Sequence, residues 1–224
     1  MKLQTCVTFI LVLLLASTTT QAQFLKSVGI KGGVAVSNVR VTDVHPLAGG
    51  GANPYVIEYM DENVVSPTVS LFADFLPGEY FGLQAELTYL RKGTSHTMSI
   101  PITTAQYPDG TGEVVEVTTE FSLHYLGFAL AAQPRLPLGE AVTLYGYGGP
   151  TASYLLAVSN LYWLERFDRF QLGYTLGLGA EVAHLSTGNI FLELRYAGDF
   201  TPFYDDTTAK FWNRSWMVSL GTSF

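Results

Sequence analysis

Eight segments of this chain alternate apolar and polar residues with a period of two, the pattern of strands whose two faces meet different surroundings. The third, about 80–92, is the clearest: Phe81, Leu83, Ala85, Leu87 and Tyr89 alternate with Gly82, Gln84, Glu86 and Thr88. The first, about 26–38, sets Val28, Ile30, Val34 and Val36 against Gly29, Lys31, Gly33, Ala35 and Ser37. The second, about 64–76, sets Val65, Val69, Leu71, Ala73 and Phe75 against Ser66, Thr68, Ser70 and Asp74. Pro67 falls on its apolar face near the start, where a missing ladder donor is easiest to tolerate. The sixth, about 169–184, places Phe170, Leu172, Tyr174, Leu176, Leu178, Ala180 and Val182 opposite Gln171, Gly173, Thr175, Gly177, Gly179 and Glu181. In the seventh, about 190–199, Ile190, Leu192, Leu194 and Tyr196 oppose Phe191, Glu193, Arg195 and Asp199. The fourth, about 118–135, begins with Phe121, Leu123 and Tyr125 in phase and then changes to Leu126, Phe128 and Leu130, which suggests a bulge near Tyr125. The fifth, about 141–156, is rich in Tyr and Gly and its facing is ambiguous. The eighth closes the chain, with Trp216, Val218, Leu220 and Phe224 alternating with Met217, Ser219, Gly221 and Ser223.

The connections alternate in length. Leu76-Pro77-Gly78-Glu79, Pro137-Leu138-Gly139-Glu140 and Ser186-Thr187-Gly188 read as tight turns with Gly or Pro at the bend. Between them lie long connections at about 39–63, 93–117, 157–168 and 200–212. Three short and four long connections fit an even-stranded membrane barrel whose short turns face the periplasm and whose loops face outside.

Residues 1–22 read as a secretory signal peptide, with Lys2 as the positive start, an apolar run from Phe9 to Ala16, and cleavage after Ala22. The run is too short for a spanning helix, which needs about 20 apolar residues. Residues 23–224 then form one domain without cysteine, so disulfides and thiolate metal sites are ruled out. With Lys2 removed, 11 basic residues face 19 acidic ones, and no basic footprint for nucleic acid is present. Mean hydropathy is +0.23, although no second segment approaches a spanning helix. Apolar residues dispersed at alternate positions of a membrane barrel would reconcile the two.

The competing all-β fold is a soluble eight-stranded barrel of lipocalin type, which keeps its apolar face inside. Small residues dominate the polar face here, as suits a narrow interior filled by side chains, and Leu, Val, Phe and Tyr form the other face in nearly every strand. The expectation is therefore an all-β, 8-stranded antiparallel up-and-down transmembrane barrel.

On that assignment Asp74, Glu86, Glu181, Glu193 and Arg195 point inward. A three-residue turn at Ser186–Gly188 sets Glu181 opposite Glu193, so the expected network centres on Arg195 with both glutamates. It would plug the barrel, with a proton or ion path as the competing use. His45, His96, His124 and His184 form no recognisable site. Ser95-His96 with Glu113 or Glu116 would be needed for a lipid-modifying enzyme, but no supporting motif accompanies it. Asp205-Asp206 makes an incomplete oxygen shell for a cation, so neither metal nor cofactor is expected. Gly49-Gly50-Gly51 in the first loop and Pro101, Pro108 and Asp109-Gly110 in the second mark segments where binding would reside. Leu161-Tyr162-Trp163-Leu164 reads as a strand extension or as part of an interfacial aromatic girdle.

Val28-Gly29-Ile30-Lys31-Gly32-Gly33, the stretch His124-Tyr125-Leu126-Gly127-Phe128-Ala129-Leu130-Ala131-Ala132-Gln133-Pro134-Arg135, and Tyr145-Gly146-Tyr147-Gly148-Gly149-Pro150 carry a resemblance. They resemble the first, fourth and fifth strands of the outer-membrane β-barrel domain family of OmpX-like and PorT-type small barrels. Ala129 departs from the Pro that the family often has there. Trp216, Val218, Leu220 and the terminal Phe224 resemble the insertion signal of outer-membrane barrels, implying recognition by the barrel assembly machinery. The resemblance implies a Gram-negative outer-membrane location, contact with outer-membrane lipid and a porin-family architecture, but brings no catalytic residue. A non-enzymatic structural or surface-interaction role through the four external loops is expected, with a periplasmic or extracellular protein partner. A PorT-like component of a secretion machine is the alternative, and a lipid-modifying enzyme a third reading.

Overall fold

The computed structural model describes residues 25–42, 62–76, 78–101, 114–159, 167–184, 188–205 and 210–224. Outside these lie the expected signal peptide, His45, Gly49–Gly51, Pro77, Pro108, Asp109–Gly110, Glu113, Leu161–Leu164, Ser186–Thr187 and Asp206.

Eight strands form the barrel: β1 (Leu25–Thr42), β2 (Glu62–Phe75), β3 (Phe81–Pro101), β4 (Val114–Pro137), β5 (Val142–Val158), β6 (Phe170–His184), β7 (Gly188–Asp199) and β9 (Lys210–Ser223). The two-residue β8 (Tyr204–Asp205) adds to β9 at the rim. Each barrel strand pairs antiparallel with its neighbour in sequence, and β1 closes on β9 from Gly29↔Ser223 to Thr42↔Lys210. Three tight connections lie at one end, the short-turn end, and the four longer ones at the other, the long-loop end.

The faces run opposite to those of a protein in water. Ser37, Ser66, Thr68, Ser70, Gln84, Gln133, Ser215 and Ser219 are buried inside, whereas Ile30, Leu71, Leu176, Leu178, Leu192 and Leu220 stand exposed on the wall. Polar inside and apolar outside is the arrangement hydrocarbon demands, and it rejects the lipocalin-type alternative. The strands, not a helix, make the crossing; no described helix is long and apolar enough to do so.

Two strands differ from expectation for the same reason. β3 continues to Pro101 and β4 starts at Val114, so the pair outruns both flanking strands: β2 pairs β3 only up to Ser95, and β5 pairs β4 only up to Leu123. Gly93–Pro101 lacks apolar alternation because here β3 rises out of the lipid and continues into the two-stranded ribbon, and only the embedded part of a strand must show an apolar face.

The expected facing change on β4 is corrected. Its pairing with β3 runs without a shift from Phe81↔Pro134 to Pro101↔Val114, and Leu123 and Tyr125 stay inward with Ala129 and Ala131. The shift falls between β4 and β5, where His124↔Ala157 is followed by Tyr125↔Leu155 and Leu156 is the extra residue. What changes along β4 is the interior it faces. Toward the long-loop end Val39, Leu123, Tyr125, Leu155, Val158, Phe203 and Phe211 form an apolar core inside the barrel mouth. Pro67 lies within a second irregularity, where the β2–β3 pairing skips from Asn63↔Thr94 to Thr68↔Leu90 and needs no donor from it.

Nearer the short turns, Phe72, Tyr145 and Phe191 form a small inward cluster, each ring resting over a glycine of another strand. A Cβ added at Gly29, Gly179 or Gly221 would come within 2.4 Å of the Phe72, Tyr145 or Phe191 ring respectively. Gly179→Ala is expected to destabilise the barrel by about 1–3 kcal/mol through overpacking. Gly32→Ala, whose Cβ meets nothing within 4 Å, leaves it unchanged. Urea unfolding of both variants refolded in lipid vesicles measures the difference.

Candidate functional site in the barrel interior

Four charges from three strands meet across the barrel axis. Lys31 on β1 bridges Glu86 on β3 at 2.8 Å and Glu193 on β7 at 2.9 Å. Arg195, two residues along β7 from Glu193, donates from both terminal nitrogens to Glu86, at 2.8 and 2.7 Å, and also pairs with Glu193. Lys31, Glu86, Glu193 and Arg195 are all no more than 5% exposed. The period of two aims all four inward, and the register of neighbouring strands sets them at one level.

The two carboxylates are saturated. Glu86 also accepts from the Thr88 hydroxyl at 2.9 Å, and Glu193 from the Tyr145 hydroxyl at 2.7 Å. Lys31 donates further to Gln84 Oε1 at 2.6 Å, and Gln84 Nε2 donates to Asp74 at 2.7 Å. Asp74 accepts from Ser27 and faces Arg135 at 3.8 Å, so a polar chain runs from the quartet toward the short turns. The Arg195 guanidinium stacks 4.0 Å from the Tyr147 ring, and the Lys31 ammonium lies 4.7 Å from that of Phe72. Two cations against two anions leave the level neutral, and delocalised guanidinium on an aromatic face limits the penalty of desolvation.

Toward the long-loop end, a cavity of about 50 Å³ lined by Thr88, Ser153, Thr175 and Arg195 has room for a few water molecules. Lys92, Asp199 and Tyr125 line it too: Lys92 pairs with Asp199 at 3.0 Å, and the Tyr125 hydroxyl accepts from Gln171 at 2.8 Å and from Asn213 at 3.3 Å. The apolar core then covers the mouth. Phe203, from the β7–β9 connection, is 1% exposed and is held by backbone bonds from its own N–H to Phe211 and from Asp168 to its carbonyl.

Of the residues expected inside, Asp74, Glu86, Glu193 and Arg195 are joined directly or through Gln84 and Lys31, and Glu181 is not. Glu181 pairs across from Phe191 and accepts from Asn189; Gly179 stands opposite Glu193 and Gly177 opposite Arg195. The hairpin closes one residue earlier than expected, at His184↔Gly188, which moves Glu181 two positions, from opposite Glu193 to opposite Phe191, and leaves it four positions, roughly 14 Å along the strand, from the level of Arg195. Lys31 is the member that sequence reasoning missed, although its place on the polar face of the first segment was the available signal. Lys92 closes the third segment on its polar face and carried the same signal as Lys31, whereas Tyr125 and Phe203 were hidden because they fell in segments read as facing outward or as loop.

The residues considered for catalysis do not converge. His124 Nδ1 is bonded to the Tyr89 hydroxyl on the outer wall at 2.6 Å, and Ser95 donates to Glu62 at 3.0 Å. The His96 and His184 side chains lie outside the described set. Among the described residues no group of three His, Cys, Asp or Glu is placed to hold a metal ion, and Asp205 pairs with Lys210. Trp216, Val218, Leu220 and Phe224 project from the wall, each more than half exposed.

A closed barrel with an inverted surface and a packed polar interior agrees with the family comparison, in which residues 7–224 match the outer membrane protein beta-barrel domain. The chain belongs to that family. Membership implies an outer-membrane location. Solved structures similar to the chain include Ail of Yersinia pestis, 14% identical with a TM-score of 0.41, the match covering 88% of this chain and 98% of that one. OprG of Pseudomonas aeruginosa is 13% identical with a TM-score of 0.46, covering 88% and 95%. The outer membrane protease OmpT of Escherichia coli is 8% identical with a TM-score of 0.44, covering 93% and 100%. Membership rests on the family match and not on these likenesses. No curated protein matches the chain.

Arg195→Met leaves Glu86 and Glu193 to share Lys31 alone. It is expected to destabilise the barrel by about 3–5 kcal/mol, the usual effect of breaking a buried charge pair. The shift of the urea midpoint in vesicles reads it, with the exposed Arg91→Met as the control.

Proposed function

We propose that the protein is a sealed, non-enzymatic outer-membrane barrel that works through its external end. The observation that carries this reading is the filled interior: Lys31, Glu86, Glu193 and Arg195 interlock at one level, and the apolar core around Phe203 covers another. A barrel of eight strands is just wide enough for side chains to fill. Every carboxylate oxygen of the quartet is held by a donor, so none is free to act as a base.

In this reading residues 1–22 are removed on export, and the long-loop end faces outward because long connections are the extracellular ones in such barrels. The barrel assembly machinery reads the final strand through Trp216, Val218, Leu220 and Phe224. Partner contact falls to the external loops, above all to the β3–β4 ribbon, where Val114, Val115 and Val117 are exposed and neither edge has a described neighbour strand. Unpaired edges and exposed valines suit a protein surface.

Refolded into a planar lipid bilayer, the protein is expected to give no steady ion conductance, and porin-like steps would overturn the sealed reading. In cells, photo-crosslinkers at Thr97 or Thr118 on the ribbon are expected to capture a partner that those at Glu79 or Glu140 in the short turns do not. Capture at the turns alone would instead favour a component of a secretion machine.

A further inference from the structure

The wall is apolar around most of its circumference, but at the β1–β9 seam it carries two arginines at the top of an aromatic cluster. Tyr174, Tyr196 and Trp216 lie side by side on β6, β7 and β9, with ring centroids 6.1 Å and 5.0 Å apart, and Phe200 stacks on Tyr174 at 5.0 Å. One outward step above Trp216 stands Arg214, roughly 7 Å along the strand. Arg40 on β1 pairs across from Trp212, and Arg214 from Asn38, which makes the two arginines diagonal neighbours with Cα atoms roughly 7–8 Å apart. Both are exposed.

Neither arginine has an acidic partner among the described residues. Arg214 gives its Nε to Asn38 Oδ1 at 2.5 Å, which leaves its two terminal nitrogens directed elsewhere. The described acids nearby are engaged: Asp199 turns inward to Lys92 at 3.0 Å, and Asp205 pairs with Lys210 at 3.4 Å. Arg91, the comparable outward arginine on β3, pairs with Glu120 at 3.0 Å. In a chain of net charge −7, two guanidinium groups on one seam that no described acid neutralises are a local excess of positive charge.

Their height selects the counter-ion. Below them Trp216, Val218 and Leu220 are exposed to hydrocarbon, and aromatic rings of this kind sit at headgroup level, where arginine heads reach the lipid phosphates. We propose that Arg40 and Arg214 hold the phosphate of an anionic lipid between them, with its acyl chains lying along Val36, Trp216 and Val218. Two planar forks set diagonally across a strand pair engage different oxygens of one phosphate, and Asn38 fixes the orientation of one fork. The choice of the outer leaflet rests on the long loops facing outward; the phosphate site itself does not.

Trp212 and Trp216 report on the site directly. The full mature chain carrying Trp163→Phe is refolded into symmetric phosphatidylcholine vesicles containing a minor fraction of brominated phosphatidic acid, or of brominated phosphatidylcholine, and quenching of tryptophan fluorescence gives the relative affinity. Phosphatidic acid is expected to be preferred by roughly fivefold for each arginine engaged. Arg40→Ala with Arg214→Ala brings the preference to unity, the Arg→Lys pair retains part of it, and Arg91→Ala leaves it intact. No preference in the parent protein, or an undiminished one in the double alanine variant, overturns the proposal. So does loss of the preference on adding inorganic phosphate at the ionic strength of a chloride control, which would mark a site for a soluble anion. Symmetric vesicles make the result independent of barrel orientation and of the sealed-barrel reading.

Discussion

A backbone in hydrocarbon finds no water, so every N–H and C=O in the span must be bonded within the protein. The pairing of β1 with β9 is where this chain meets that demand, because without it two strands would present open edges to lipid. Closure also constrains the space inside. Eight strands enclose too little room for a stream of water, so the interior must be filled, and the inward residues are the ones the register delivers. Gly29, Gly179 and Gly221 are part of that solution, since each leaves space for a ring from another strand inside a narrow tube.

Filling the tube with charge has an energetic logic of its own. A buried ion pair gives little net stability against an apolar substitute, but half of one is very unfavourable. Lys31, Glu86, Glu193 and Arg195 come from β1, β3 and β7, far apart in the chain, and are neutral only when all three strands are in register. A slip of one residue would turn an entire strand inside out and leave buried charges facing lipid. The quartet therefore discriminates between pairings more than it strengthens the correct one. The apolar core at the mouth does the complementary work, adding burial without specifying partners.

Much of the barrel was legible because lipid imposes a simple rule on alternate residues. Strand number, the alternation of short and long connections, and the inward aim of Asp74, Glu86, Glu193 and Arg195 all derive from it. Three things did not. The position of Glu181 depended on a hairpin closing at His184↔Gly188, and a change of one residue in a turn is invisible to periodicity. The facing of Phe121, Leu123 and Tyr125 was misjudged because apolar residues were assigned to lipid, whereas the mouth of the barrel has an apolar lining of its own. The ribbon reads as a loop in the sequence because Gly93–Pro101 carries no apolar face, and outside the membrane none is required.

That ribbon rests on an asymmetry of support. An isolated two-stranded hairpin is marginal in water, but here its base is continuous with strands clamped on both sides by the barrel wall. Stability must then fall steadily along the described ribbon away from the wall, and its outer pairs can open without disturbing anything embedded. Sequence change is correspondingly cheap there: the outer ribbon needs to agree with its own opposite strand and with no other described strand. In the external-end reading proposed above, the barrel is an anchorage, and the ribbon is the part of the molecule that can be rewritten as its surroundings change.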